Sequence, residues 1–251
     1  MKRRPILKYA AALTAAAITP ARAARALKLS LYVPLDSLQG KAAQSTQTAQ
    51  TAQPAQTAQA SADTIGRAAK LTVPERENAM KELIESRQKL LAALSGLSDA
   101  QYRWKPSPDR WSVAEVAEHL AVAEERLYGM ITEKIMKSPT PPELLSQVQH
   151  DDSKLKQQVL DRSAKVKAPE MLQPAGRYNS VEAVTAAFNA NRDKTVAYVR
   201  NTQEDLRGHA APHPLLKALD GYQWILLMSA HVGRHTAQIA EIKADPRFPK
   251  K

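Results

Sequence analysis

The chain contains no cysteine, which excludes disulfides, thiolate metal ligands and a cysteine nucleophile. Phenylalanine is nearly missing, with 2 in 251 residues, so aliphatic side chains and a few Trp and Tyr must fill any interior. Gly and Pro number only 8 and 16, which excludes a collagen-like or generally low-complexity chain. There is no Gly-rich phosphate loop, no Gly-x-Ser-x-Gly elbow and no zinc-ribbon pattern. No alternating apolar run of strand type stands out either.

Hydrophobic residues make up 43% of the sequence, enough for a substantial core. The net charge of +11 is unevenly spread. Residues 1–72 carry 10 Lys and Arg against 2 Asp and Glu, and the remainder carries 26 against 23. The basic excess is therefore mainly an N-terminal property and is poor evidence for a nucleic-acid-binding surface, so no nucleic-acid partner is expected.

Composition divides the chain into three zones. Residues 1–26 read as an export signal, which leads to an expected periplasmic or extracellular location. Lys2, Arg3, Arg4 and Lys8 form a basic start, Tyr9–Ile18 is a short apolar run, and Ala21 to Ala23 offers small residues for cleavage. That run is too short to remain as a membrane span. Residues 27–72 read as a tether, because Gly40–Ala62 is almost wholly Ala, Gln, Thr and Ser and buries too little to offset chain entropy.

From residue 73 onward the sequence becomes periodic, so the folded domain is expected over 73–251. Met80, Leu83, Ile84, Leu90, Leu91, Leu94 and Leu97 recur at helical spacing behind Pro74. A second helix starts at Ser112, where Glu115 completes a capping box, and carries Val116, Leu120, Ala123, Leu127 and Met130. A shorter helix follows within Glu143–Val166. A third main helix starts near Asn179 with the stripe Val181, Val184, Phe188, Asn191, Thr195 and Tyr198, and a fourth runs from about Asp220 to Lys243. Four long amphipathic helices without a sheet imply an all-α four-helix bundle around one core.

His231 and His235 lie four apart on the fourth helix, so both rings share one face with Trp224, Met228 and Ile242. The pair admits two readings: core histidines satisfied by hydrogen bonds, or ligands of a metal that takes one ring nitrogen from each. His119, at the edge of the apolar stripe of the second helix, supplies a third imidazole if the two helices are neighbours. Three imidazoles from two helices can hold a divalent metal and leave a coordination position open.

The segment Asp109–Leu120 (DRWSVAEVAEHL) and, far downstream, Gln223–Ile239 (QWILLMSAHVGRHTAQI) together resemble the DinB-like superfamily. Tyr178-Asn179-Ser180 and Pro212-His213-Pro214-Leu215 add to the likeness, which covers roughly Val73 to Phe248. The resemblance implies a four-helix bundle with one histidine on the second helix and a pair on the last. It implies that His119, His231 and His235 hold a divalent metal, commonly nickel or zinc, and it suggests a homodimer. It leaves the reaction open among metal-dependent hydrolysis of a small molecule, thiol-dependent transfer, and metal binding without turnover in a stress-related module. An exported protein would meet little cytosolic thiol, which favours hydrolysis.

Two further residues are candidates for the surroundings of the site. Glu115 lies one turn before His119, although its capping role already accounts for it. Asn191 stands on the inward stripe of the third helix, where a polar residue is unusual. Arg192 and Arg234 read as solvated arginines that can also attract an anion, and Trp111 beside the Ser112 cap reads as a core anchor. His150, His209 and His213 lie in polar or connecting segments and are left outside the site.

Overall fold

The computed structural model describes residues 70–250. The signal-like segment and nearly all of the Ala/Gln/Thr tether lie outside the described residues. Leu71, 6% exposed, already packs in the core. Thr72 caps the first helix, so folded structure reaches upstream of the boundary expected at residue 73.

Four long helices form the body: α1 (Val73–Leu94), α3 (Val113–Met130), α6 (Val181–Asn201) and α7 (Gly221–Lys243). Short helices α2 (Asp99–Arg103), α4 (Pro142–Leu145) and α5 (Asp152–Leu160) lie in the connections. The single short helix expected within Glu143–Val166 is thus a pair, α4 and α5. Each long helix starts where a side chain takes over the orphan N–H groups of its first turn. Thr72 and Glu75 form a capping box on α1, as do Ser112 and Glu115 on α3 and Asp220 and Gln223 on α7. Ser180 caps α6 by accepting from the Ala183 N–H. Beyond Met130 the chain continues as one π-helical turn, Ile131–Ile135.

Side-by-side packing places α1 against α6 and α7, and α3 against the same two helices. The four therefore run around the bundle in the order α1–α6–α3–α7. This arrangement puts α3 beside α7 although they are far apart in sequence. Helix α5 covers the outer side of α7, and as a result Gly221–Ala230 is buried on every face. The first half of α7 is a central helix rather than a surface one. Leu83, Leu90, Leu94, Leu120, Phe188 and Ile239 are at most 1–2% exposed and anchor the core.

A small antiparallel hairpin, β1 (Ala210–His213) and β2 (Lys217–Asp220), precedes α7, with Ala210 opposite Asp220 and His213 opposite Lys217. The sequence signal did not reveal it: each strand is four residues long, too short for an alternating pattern to register, and Pro212 removes one ladder donor. The hairpin ends on Asp220, which then caps α7. At the junction the Gly221 N–H donates to the Leu206 and His209 carbonyls, both at 2.8 Å. A Cβ there would stand 2.9 Å from the Leu206 carbonyl oxygen, so the close approach requires glycine. No described helix is long and apolar enough to cross a membrane.

Candidate metal centre

Helix α3 delivers His119 into the bundle, and the adjacent α7 presents His231 and His235 on consecutive turns. One ligand atom from each of these three residues lies within 4.8 Å of the other two. His119 is 3% exposed, whereas His231 and His235 are half-buried. This reverses the order suggested by the stripes, in which His119 stood at the edge. The stretch Val116–Glu124 is buried all round because α6 and α7 flank it and the 170–177 connection covers it. The α7 pair keeps partial exposure.

A backbone carbonyl fixes the tautomer of one ring, and a side-chain amide oxygen favours the same tautomer in a second. The His119 Nδ1–H donates to the Leu172 carbonyl at 2.8 Å, so Nε2 carries the lone pair. The His235 Nδ1–H donates to the Gln238 side-chain oxygen one turn on, also at 2.8 Å. His119 Nε2 then stands 3.2 Å from His231 Nε2. Two lone-pair nitrogens at that separation repel unless a proton or a cation lies between them. Metal–nitrogen bonds of roughly 2.0–2.1 Å at tetrahedral angles set such nitrogens about 3.3–3.4 Å apart. The donor set therefore fits one divalent ion, and neutral imidazoles whose other nitrogen donates outward suit that role.

Electrostatics favour the neutral, ligating form of all three rings. Burial pushes His119 below the ordinary imidazole range. Burial, with the two neighbouring histidines, pushes His231 well below it. Burial, with His119 alongside, pushes His235 down to about 3. Trp111 forms an apolar wall, its ring centroid 5.1 Å from that of His119 and stacked 6.4 Å from that of His235. Trp111 thus lines the site as well as anchoring the start of α3. No Asp or Glu oxygen joins the cluster among the described residues.

The other candidates fall elsewhere. The Glu115 carboxylate accepts from the Ser112 N–H at 2.7 Å and pairs with Lys105 at 3.0 Å, so capping and a surface ion pair occupy it. Asn191 is half-buried, and its side-chain oxygen accepts from Lys194 at 3.4 Å. The inward position belongs to its neighbour Arg192, which is fully buried because Glu124, Ser86 and the Leu83 carbonyl partner its guanidinium. Arg234 donates to the Val159, Asp161 and Ala164 carbonyls and so ties α7 to the segment after α5. Arg192 is therefore not solvated as its sequence context suggested, whereas Arg234 stays partly exposed.

Sequence reasoning missed the Leu172 carbonyl and Glu118. A backbone acceptor leaves no signature in the side-chain pattern. Glu118 carried a faint one, as the acid in the run Val116–Ala123, which is apolar apart from it and His119.

Residues 82–239 match the model of the DinB superfamily. An uncharacterised protein of Bacillus subtilis, YuaE, is 30% identical over 159 residues, which span 63% of this chain and 93% of YuaE. Among solved structures, YfiT from Bacillus subtilis is similar at 17% identity and a TM-score of 0.43. That match covers 69% of this chain and 88% of YfiT, which is described as a probable metal-dependent hydrolase with an unusual four-helix bundle topology.

Proposed function

The chain belongs to the DinB superfamily, and on that premise we propose that it is a metal-dependent hydrolase of a small molecule, with His119, His231 and His235 holding one divalent cation. The observation that carries the reading is the convergence of three imidazoles from α3 and α7, with His119 Nε2 and His231 Nε2 3.2 Å apart. An all-nitrogen donor set without thiolate suits zinc and nickel alike. A cation held this way supplies Lewis acidity, polarising a carbonyl or phosphoryl oxygen and making water nucleophilic near neutral pH.

The residues of the chain do the rest. Leu172 and Gln238 orient the rings of His119 and His235, each through an Nδ1–H bond. Trp111 keeps water off one flank, while the partial exposure of His231 and His235 leaves a path for substrate. Three protein ligands would leave a bound cation with coordination open, as in catalytic rather than structural sites.

A thiol-dependent transferase is the second reading. The same three-imidazole donor set would serve it, because a thiol bound in place of water would be activated as thiolate. The basic and apolar N-terminal segment, read as an export signal, weighs against a cytosolic thiol co-substrate. Elemental analysis of the purified protein, followed by turnover on ester, amide, epoxide and thiol-adduct panels, separates the readings. Hydrolysis that disappears in His231→Ala supports the first, and turnover only with added thiol supports the second. Bound metal with no turnover would leave a binding module.

A further inference from the structure

We propose that Glu118 is a positioning residue for the histidine site, holding the loop whose Leu172 carbonyl sets the tautomer of His119. The inference deepens the reading of His119 as a ligand and rests on it. Glu118 precedes His119 on α3 and is 4% exposed. Among the described residues the one cationic group within 4 Å is the Arg177 Nε, 3.9 Å away, too far to neutralise a desolvated carboxylate well. Three consecutive backbone groups compensate instead. The Ala175 N–H donates to Oε1 at 2.7 Å, and the Gly176 and Arg177 N–H groups donate to Oε2 at 3.0 and 3.1 Å.

Successive N–H groups can converge like this where one residue takes a left-handed conformation, forming an anion-binding concavity. Gly176 supplies it, with φ of +75°. The concavity lies three residues from Leu172, across Gln173 and Pro174. Pro174 restricts the backbone on both sides of it, and the turn Glu170–Leu172 closes the other end. The connection is short and stiff, so fixing the 175–177 amides to α3 fixes the Leu172 carbonyl relative to the same helix. That carbonyl accepts the His119 Nδ1–H and leaves Nε2 pointing at His231. Adjacent residues of one helix thus secure one imidazole, His119 directly and Glu118 through the loop.

The test uses the full chain and the variants Glu118→Gln and Gly176→Ala. The first replaces one acceptor oxygen with a donor. The second leaves Glu118 in place and disfavours the left-handed turn, and its added Cβ would meet nothing within 4 Å. Long-range proton–nitrogen correlation of the metal-free, nitrogen-15-labelled protein reads the His119 tautomer, and titration with cobalt(II) reads affinity. Wild type should show protonated Nδ1, and both variants should show mixed tautomers and roughly 10–100-fold weaker cobalt binding. An unchanged tautomer in a folded variant overturns the proposal, as does a changed tautomer with cobalt affinity within about twofold of wild type. If Glu118→Gln fails to fold, Gly176→Ala decides by the same criteria. If wild type binds no metal, the reading of the histidines as ligands has failed, and the tautomer measurement alone decides the role of Glu118.

Discussion

Arg192 and Glu124 form an ion pair inside the bundle: Nε lies 2.7 Å from Oε1 and Nη2 lies 2.8 Å from Oε2, with the two side chains 0% and 2% exposed. The pair joins α6 to α3, and Arg192 reaches on to α1 through Ser86 and the Leu83 carbonyl. Removing either partner strands the other charge out of water, so Glu124→Leu or Arg192→Met alone should cost about 3–5 kcal/mol in denaturant unfolding. The double variant should recover most of that loss, because two apolar side chains of similar volume remove both desolvation penalties. A double variant as unstable as the sum of the singles would show that the pair is not coupled.

How far each feature was legible depended on whether it repeats. The helix stripes and the Ser112–Glu115 cap recur at fixed spacing, and the structure places them where the pattern does. The pairing of His119 with His231 and His235 was legible only through the resemblance of two separated segments to a known family, since spacing says nothing about which helices are neighbours. Asn191 and Arg192 show the limit of stripe reading. Both i+3 and i+4 from Phe188 face inward on an ideal helix, and only the partners on α3 and α1 decide that the arginine takes the interior. Leu172 acts through its backbone, which no side-chain pattern records.

The three histidines should be separable from the fold. Each of His119→Ala, His231→Ala and His235→Ala should lower bound metal to a small fraction of wild type in elemental analysis, while far-ultraviolet circular dichroism stays near wild type. The aliphatic core carries the helices and the imidazoles do not. His119→Ala should be the least stable of the three by about 1 kcal/mol, because it removes a hydrogen bond to the part-buried Leu172 carbonyl. In wild type, metal added at about 100 times its Kd should raise stability by about 2.7 kcal/mol, and chelation should remove that increment. Stoichiometric metal in all three variants would sink the site.

Tyr102 sets an alkaline limit. It is fully buried, its hydroxyl has no hydrogen-bond partner among the described residues, and burial pushes its pKa up to about 12. Its folded-state pKa therefore lies above the unfolded value near 10, and the contribution is intact below pH 10. Between pH 10 and 12 the unfolded chain releases the phenolic proton and the folded chain keeps it. Over that window the residue should cost about 1.4 kcal/mol of stability per pH unit. Tyr102→Phe should abolish this share of the slope and gain about 1 kcal/mol at neutral pH by removing an unpaired buried hydroxyl. Denaturation curves at pH 7, 10 and 11.5 for both proteins test it. A variant less stable than wild type at pH 7 with an unchanged slope would contradict the account.

Glu115 and Asn191 should be silent where Glu118 is not. Glu115 lies one turn before His119, yet its oxygens are committed to the Ser112 N–H and to Lys105. Glutamine can still cap the helix and loses only the exposed ion pair, so Glu115→Gln should cost about 0.2–1 kcal/mol of stability. Among the described residues the Asn191 side chain engages Lys194 alone, so Asn191→Ala should shift stability by no more than about 0.5 kcal/mol. Both variants should bind cobalt(II) with wild-type affinity in the titration used for Glu118→Gln. The contrast is informative because Glu115 and Glu118 sit on the same helix within one turn, carry the same charge and flank the same histidine. If Glu115→Gln weakened the metal as much as Glu118→Gln, the effect would follow from negative charge near His119 and not from the loop that Glu118 holds.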